Sequence, residues 1–302
     1  KAAQRATEIG ATAVQIFTDN PTAWRRKEVP TQELVAFREH LASAGIGPLA
    51  VHAPYLVNLC GPNEDFWAKS VATMATELTV GATYGASFVV MHIGSHRGLE
   101  RAEGIERMAR GICQVLDAAE AQSGGRVPLP RLVLENAAGT GDGIGATLED
   151  LADMLAAAEA AGASRDRLGV CLDTAHLWGA GYDIGGQDGV EALVTRIDAL
   201  LGREQVVMVH LNDSRTTLGS HRDRHEHIGA GKVGQDGLRE LLTHPWLATL
   251  PTYLETPGMD LGYDRINLER ALALIHGERL RDLPPEAFEM RRGRSLSRPA
   301  KG

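Results

Sequence analysis

Residues 168–183 read LGVCLDTAHLWGAGYD, and in this stretch an apolar run ends at Asp173 before a helix-like segment begins. Such a run is typical of a buried strand, and the segment after it is typical of the helix that covers the strand in a βα unit. Similar runs lie at residues 13–17, 48–52, 87–92, 132–135, 206–210 and 252–255, with helix-like segments between most of them. This alternation predicts an α/β fold built around a parallel sheet.

The βα rhythm favours a TIM (β/α)8-type barrel, although the runs are one fewer than the strands of that fold. The chain begins inside the first helix-like segment, KAAQRATEIG, so we expect the first strand to be absent from this chain. We assign residues 1–277 to the barrel. The stretch from Met290 onward is basic and contains no acidic residue. Residues 278–302 are therefore expected to form a disordered basic tail, with auxiliary phosphate binding as the alternative.

The composition is that of an ordinary globular domain, because 43% of the 302 residues are hydrophobic and 23% are charged. No run approaches the roughly 18 apolar residues of a membrane span, and the N-terminus lacks the pattern of a secretion signal. We therefore expect a cytoplasmic protein, and nothing in the sequence calls for more than a monomer. Cys60, Cys113 and Cys171 are far apart and form no CxxC pair, which argues against disulfides and against a thiolate zinc site.

Six consecutive runs end in a residue that can bind a metal, namely His52, His92, Glu135, Asp173, His210 and Glu255. The carboxyl ends of barrel strands converge on one face, so these side chains are expected to be neighbours. A single histidine or carboxylate at a strand end is more often a hydrogen-bonded structural residue or a helix cap. The set points to metal, because several carboxylates together are costly to desolvate unless cations compensate them.

Two further clusters extend this set. His176 follows Asp173 by one helical turn, and Asp223 and His225 are two positions apart, which places both side chains on one side of an extended segment. The resulting candidates are imidazoles and carboxylates, and their number exceeds what two metals need and suits three, with one carboxylate bridging. This favours zinc, with Mn²⁺ or Fe²⁺ as alternative occupants.

Clustered divalent cations suit displacement at phosphorus, so the sequence predicts a phosphodiester as the substrate. The net charge of −8 disfavours nucleic acid as a partner, since affinity for DNA depends largely on cations that neutralise phosphates. Bound metal ions would offset that charge at the place where a phosphate must bind. The net negative charge is therefore only a weak argument against DNA as a binding partner.

Six segments closely resemble the endonuclease IV family of apurinic/apyrimidinic endonucleases. They are VHAPYLVNL (51–59), VVMHIGSHRG (89–98), LVLENAAGTGDGIG (132–145), GVCLDTAHLWGAGYD (169–183), VHLNDSRTTLGSHRDRHEHIGAGKVG (209–234) and YLETPG (253–258). The resemblance implies a TIM barrel that holds three zinc ions and cuts double-stranded DNA 5' to abasic sites. It also implies products with a 3'-hydroxyl and a 5'-deoxyribose phosphate, and often the removal of blocked 3' ends.

Carried over to matching positions, the resemblance implies three zinc sites, held by His52, His92 and Glu135, by Glu135, Asp173, His210 and Glu255, and by His176, Asp223 and His225. Glu135, Glu255 and His210 are the expected catalytic residues. A hydroxide shared by the first two zinc ions is the expected nucleophile, and the third zinc would neutralise the leaving oxygen. No separate protein nucleophile is needed.

The resemblance also implies DNA contacts, from Trp24, Tyr55 and Asn58, with packing inside the loops as the alternative. Some relatives carry an arginine at the position of Thr22 that enters the duplex, so this sequence departs from the family there. Arg25 or Arg26 is a candidate substitute. Three further histidines lie close to the motifs and are candidates for supporting the ligands or binding phosphate, namely His96, His221 and His227.

Two other functions are compatible with this pattern. One is a metal-dependent sugar isomerase or epimerase of the xylose isomerase-like superfamily, which needs one or two metals and about four ligands. The additional His176, Asp223 and His225 favour the nuclease. The other is a protein that binds damaged DNA without turnover, and the retention of every expected ligand argues against it.

Overall fold

A computed structural model describes residues 1–24 and 29–289, so Arg25, Arg26 and the basic stretch from Met290 onward lie outside the described residues. Seven parallel strands form one sheet, in the order β1-β2-β3-β4-β5-β6-β9. They are β1 (Val14–Ile16), β2 (Leu49–His52), β3 (Phe88–His92), β4 (Arg131–Glu135), β5 (Leu168–Asp173), β6 (Val206–His210) and β9 (Thr252–Tyr253). A separate antiparallel ribbon consists of β7 (Asp213–Ser214) and β8 (His225–Glu226).

Helices alternate with these strands, as expected for βα units. They are α1 (Ala2–Ile9), α2 (Thr31–Ser43), α3 (Glu64–Tyr84), α4 (Arg101–Ser123), α5 (Leu148–Ala160), α6 (Thr174–Ala180), α7 (Gln187–Leu200), α8 (Gly234–Thr243), α9 (Tyr263–Ile275) and the short α10 (Glu286–Glu289). The local sequence determines where two of these helices begin. Helix α5 begins with a capping box between Thr147 and Asp150. Helix α3 begins after Asn63, whose side chain accepts a hydrogen bond from the Phe66 amide. The parallel sheet with its covering helices confirms the predicted TIM-type barrel.

The alternation of side chains along each strand separates two apolar layers and directs the ligands inward. On β4, Leu132 and Leu134 pack against the helices, whereas Val133 belongs to a smaller cluster inside the barrel with residues such as Ala50 and Met208. Glu135 is two positions beyond Val133 and therefore projects on the interior side. The same period of two that builds the core thus places a carboxylate at the end of the barrel.

The strands β1 and β9 flank an opening, because neither has a ladder partner on its outer edge among the described residues. Side chains connect the two flanks. Arg5 of α1 donates two hydrogen bonds to the Asp264 carboxylate of α9, at 2.8 and 2.7 Å. The hydroxyl of Tyr253 donates to the carbonyl of Pro48 over 3.0 Å.

Residues 278–289, which the sequence assigns to the tail, lie against the barrel in the structure. Leu280 packs against the main core and Ala287 is fully buried. The predicted boundary at residue 277 thus separates the helix α9 from a segment that still contacts the domain. Within residues 1–24 and 29–289, no helix has the length and apolar character needed to cross a bilayer.

Truncating the core beneath the ligands should destabilise the protein. Leu134 is fully buried beside Glu135, so Leu134→Ala should lower the free energy of unfolding by about 2–5 kcal/mol. Leu200→Ala, at a half-exposed position of α7, should change it by less than about 0.5 kcal/mol. Urea unfolding at a fixed zinc concentration measures both variants. Equal stability of the two would contradict the assignment of Leu134 to the core.

Candidate metal centre

Nine imidazole and carboxylate side chains meet at the carboxyl ends of the strands. Three groups bring their ligand atoms within 4.8 Å of one another, namely His52, His92 and Glu135; Glu135, Asp173, His210 and Glu255; and Asp173, His176 and His225. Asp223 adjoins the third group. The structure therefore brings together every ligand that the sequence predicts, although these residues are spread over more than half of the chain.

The first group is arranged around one oxygen of Glu135. This Oε2 atom lies 3.3 Å from Nε2 of His52 and 3.3 Å from Nδ1 of His92. The other ring nitrogen of His52, Nδ1, lies 2.7 Å from the carbonyl of Ala53, where it donates. That hydrogen bond leaves the lone pair of Nε2 directed at the group, which is the usual way in which a protein orients a metal-binding histidine.

The second group shares Glu135 with the first. Nδ1 of His210 lies 3.1 Å from Oε1 of Glu135 and 3.4 Å from Oε2 of Glu255. Glu135 and His210 are both fully buried. Because the two oxygens of Glu135 face different groups, this carboxylate would be shared by both groups if each of them held a cation.

The third group combines Asp173 at the end of β5, His176 of α6 and His225 at the start of β8, and Asp223 lies beside it in the loop before β8. Asp223 lies 3.3 Å from Nε2 of His176 and 3.3 Å from Nε2 of His225. Both Nε2 atoms are buried and make no hydrogen bond within the part of the chain that the structure describes. A buried nitrogen that has an ion-pair contact but no hydrogen bond is incompletely satisfied. A metal ion held by both nitrogens and by the Asp223 carboxylate would satisfy them, so these residues fit the expected group.

The electrostatics of the centre call for positive charge beside the carboxylates. Burial alone would raise the pKa of Glu135, but charge on His92 and His210 holds it well below its ordinary value. Burial alone would lower the pKa of His176, but the carboxylates of Asp173 and Asp223 raise it to about 10. A divalent cation supplies the same compensation in a more concentrated form.

The thiol of Cys171 lies near the centre but is not expected to bind metal. Cys171 lies inside the barrel, and burial raises its pKa to about 12. It therefore stays protonated at neutral pH, and protonated thiols are poor metal ligands. The donor set is imidazole and carboxylate, as the sequence predicts.

Gln15 is a supporting residue that the sequence does not single out. From the middle of β1 its Nε2 donates to Oε1 of Glu255 over 2.7 Å, while its Oε1 lies 2.9 Å from Nε2 of His210. The His210 ring then donates through Nε2 and keeps Nδ1 free for the second group, an assignment that follows from the hydrogen-bond network. One amide thus orients two ligands.

Two asparagines within the quoted motifs support the remaining carboxylate, that of Asp173. Asn212 donates to Oδ2 of Asp173 over 2.7 Å and accepts from the amide of Glu255 at 3.0 Å. Asn136 accepts from the amide of Asp173 at 2.6 Å, and its carbonyl lies 2.9 Å from Nδ1 of His176. Their proximity to Glu135 and His210 in sequence is the signal that could have identified them.

The predicted DNA-contact residues have different environments. Tyr55 has 54% of its surface exposed, and its ring centre lies 5.7 Å from that of His52 and 5.8 Å from that of His92. A cavity of about 560 Å³ opens beside Tyr55 and reaches His176 and Glu255. Tyr55 therefore stands at the entrance to the metal centre.

Trp24 and Asn58 contact the protein itself. The Trp24 ring packs edge-on against Phe66 at 5.2 Å between centres. Asn58 is buried, and its side-chain amide donates to the carbonyl of Ser95 at 2.9 Å and accepts from the amide of Cys60 at 2.9 Å. This geometry favours a role for Asn58 in holding two loops together rather than in touching DNA directly.

Comparison with known proteins is consistent with this geometry. Residues 3–277 match the family described as xylose isomerase-like TIM barrel. The chain is 38% identical over 273 residues to "Probable endonuclease 4" of Halothermothrix orenii, a match that covers 89% of this chain and 94% of the relative. It is 37% identical over 275 residues to the protein of the same name from Methanoculleus marisnigri, with 91% and 94% covered.

Two solved structures are also similar to this chain. Endonuclease IV from Thermus thermophilus superposes with a TM-score of 0.78 at 37% identity, and the match covers 91% of this chain and 93% of that chain. A D-tagatose 3-epimerase-like protein superposes with a TM-score of 0.65 at 17% identity, over 91% of this chain and 93% of the other. The second likeness shows a shared fold only.

Replacing Gln15 should weaken metal binding. Gln15→Leu keeps the bulk of the side chain but removes the hydrogen bonds to Glu255 and His210, so the affinity of the second group for zinc should fall about 10- to 100-fold. Gln187→Leu, at the exposed first position of α7, should leave it unchanged. Zinc titration against a chromophoric chelator measures both. An unaltered affinity in Gln15→Leu would show that this amide does not support the ligands.

Proposed function

The chain belongs to the endonuclease IV family of xylose isomerase-like TIM barrels, and we propose that it is a zinc-dependent DNA-repair endonuclease that hydrolyses the phosphodiester 5' to abasic sites. The expected products carry a 3'-hydroxyl and a 5'-deoxyribose phosphate. One observation carries the proposal: eight imidazole and carboxylate side chains form three adjoining groups that share Glu135 and Asp173, and Asp223 lies beside the third group. A phosphodiester suits such a centre better than any substrate that needs a single metal.

We assign three zinc ions to the centre. His52, His92 and Glu135 would hold the first, and His176, Asp223 and His225 the third. The second would be held by Glu135, Asp173, His210 and Glu255. Bound there, the zinc ions supply Lewis-acid charge for an in-line displacement at phosphorus, and Mn²⁺ or Fe²⁺ would be acceptable substitutes.

The residues of the chain itself prepare this reaction by position and charge. Glu135 fixes the separation of the first two groups, because its oxygens face His92 on one side and His210 on the other. Gln15 fixes the direction of Glu255, and so limits where that carboxylate can lie relative to the substrate. Since these groups are already hydrogen-bonded in place, little reorganisation is needed when a phosphate enters.

The substrate is proposed to be double-stranded DNA with an abasic site or a blocked 3' end. Tyr55 presents an exposed ring beside the cavity, and an aromatic ring of this kind can stack on a base next to a site that lacks one. Trp24 lies in the loop after β1 and is a second candidate for this surface. We further propose that the protein acts as a monomer in the cytoplasm.

A sugar isomerase or epimerase is the alternative that the fold permits, since proteins of that kind share it at 17% identity. One or two metals and about four ligands serve such chemistry. The third group argues against it, because His176 and His225 both direct a buried Nε2 atom at the Asp223 carboxylate, and neither atom makes a hydrogen bond among the described residues. These residues would hold a further cation beside the paired groups, and it would supply positive charge for a phosphodiester's leaving oxygen.

Loss of the bridging carboxylate should abolish incision. Glu135→Gln should lower kcat/KM on a labelled duplex with one abasic analogue by more than about 100-fold, since losing a ligand costs at least as much as losing its hydrogen-bond partner. The control is Glu103→Gln, an exposed position of α4. Incision by Glu135→Gln at the rate of the unaltered protein would refute the bridging role.

Tyr55 should contribute to DNA binding without affecting the metal. Tyr55→Ala should weaken binding to an abasic duplex by about 5- to 150-fold, the range for loss of one aromatic stacking platform. Tyr55→Phe keeps the ring and should bind nearly as well as the unaltered protein. Fluorescence anisotropy gives the affinities, and metal analysis should find the same zinc content in both variants. Equal DNA affinities of the alanine and phenylalanine variants would assign Tyr55 to loop packing.

A further inference from the structure

The loop that carries Asp223 and His225 is held by few backbone pairs of its own. Its ribbon pairs Asp213 with Glu226 and Ser214 with His225, and one further backbone hydrogen bond joins Arg215 to Arg224 at 2.9 Å. A ribbon of this length is not stable by itself in water, because two strands alone bury too little surface. The position of His225 therefore depends on contacts that the loop makes with other parts of the protein.

Some of these contacts lie beside the ligands themselves. Nδ1 of His225 lies 3.0 Å from the carbonyl of Glu255, and the amide of His221 donates to the carbonyl of Gly179 in α6 at 2.9 Å. They hold the loop on the side of α6.

Asp213 anchors one side of the loop. Its buried carboxylate accepts hydrogen bonds from the amides of Ser214, Gly231 and Val233, at 2.8, 2.9 and 2.9 Å. All of these amides belong to the same loop. Asp213 thus gives the loop its shape but does not tie it to the barrel.

His227 anchors the other side, two residues after His225. It is fully buried, its Nδ1 lies 2.9 Å from Nδ2 of Asn267, and its Nε2 lies 3.0 Å from the carbonyl of Ala287. The Asn267 amide accepts from the amide of Ile228 at 2.9 Å, so its NH₂ group must face His227. His227 therefore accepts at Nδ1 and donates at Nε2 to the carbonyl of Ala287.

Residues 278–289, called here the C-terminal clamp, hold this anchor from outside. Ala287 has no exposed surface, and the Phe288 ring lies 6.0 Å from the His227 ring. Arg270 joins the loop to the clamp, since its Nε donates to the carbonyl of Ile228 at 2.6 Å and its Nη1 donates to the carbonyl of Arg281 at 2.7 Å. The clamp lies beyond residue 277, where the match to the family ends.

We propose that the C-terminal clamp is a positioning element of the third metal group: through His227 and Arg270 it fixes the loop so that Asp223 and His225 meet His176. This rests on the proposed function, which assigns a zinc ion to that group. Metal affinity depends on ligand atoms being held within a few tenths of an ångström, and the supporting contacts typically contribute 10- to 100-fold. The first two groups take their ligands from or directly after strand ends of the barrel, whereas in the third only Asp173 ends such a strand.

The test counts zinc in chains of different length. A chain ending at Glu289 keeps the clamp and should bind three zinc ions, whereas a chain ending at Gly277 should bind two tightly and the third about 10- to 100-fold more weakly. Zinc is titrated against a competing chelator and then measured by elemental analysis after gel filtration. Circular dichroism of the shorter chain verifies that the barrel is folded.

If the shorter chain does not fold, a point variant tests the positioning role of the C-terminal clamp. His227→Ala should weaken the third zinc by the same factor, while His276→Ala, an exposed residue after α9, should not. Incision by His227→Ala should recover when zinc is in excess. The positioning role of the C-terminal clamp would be refuted if folded His227→Ala bound the third zinc ion with unaltered affinity. Equal loss of all three zinc ions would refute it as well.

Failure of the clamp and failure of the proposed activity give different results. Zinc counted without DNA tests the clamp, whereas incision by the full chain tests the nuclease. A full chain that binds three zinc ions but leaves abasic DNA intact would refute the activity and leave the clamp standing. Normal incision, with the third zinc equally tight in both chain lengths, would refute the clamp alone.

Discussion

Glu135 is a carboxylate with no exposed surface, and the need to surround it with positive charge governs the rest of the structure. Burying such a group without compensation would cost several kcal/mol. Three imidazoles, of His52, His92 and His210, approach its two oxygens within 3.3 Å. A parallel barrel can bring together side chains from strands far apart in sequence at one such point, because all its strands end on the same face.

The centre is supported in two different ways. The first two groups stand on or directly after strand ends, where ladder hydrogen bonds fix the backbone and Gln15 and Asn212 fix the side chains. The third group combines the start of α6 with a loop whose shape comes from Asp213 and which is attached on one side to α6 and Glu255 and on the other through His227. The third group is therefore the part of the centre that is most sensitive to distant contacts. Metal occupancy there could change without any change in the barrel.

The sequence predicts the barrel and the convergence of these side chains at one end of it, because both depend on short-range patterns. The runs ending at Asp173 and His210 coincide with β5 and β6, and their last residues project inward by the period of two. The last run is predicted through Glu255, but the ladder of β9 ends at Tyr253, so Glu255 reaches the centre from the segment after the strand. Its amide is held there by Asn212, a contact that no local pattern indicates.

Other features could not be predicted because their partners lie far along the chain. Gln15 is a single polar residue in an apolar run, and its role appears only when Glu255 is seen beside it. Asn58 lies in a motif that suggests a surface contact, yet Cys60 and Ser95 occupy its amide. The segment 278–289 has too few apolar residues to show a period, and His227 holds it from 60 positions away.

The most direct test of the central claim is the anomalous scattering of zinc in crystals of the zinc-loaded protein. The account predicts three peaks per chain, two of them on either side of Glu135 and the third between the Nε2 atoms of His176 and His225. A single peak, or three peaks of which none adjoins Glu135, would contradict a centre organised around one shared carboxylate.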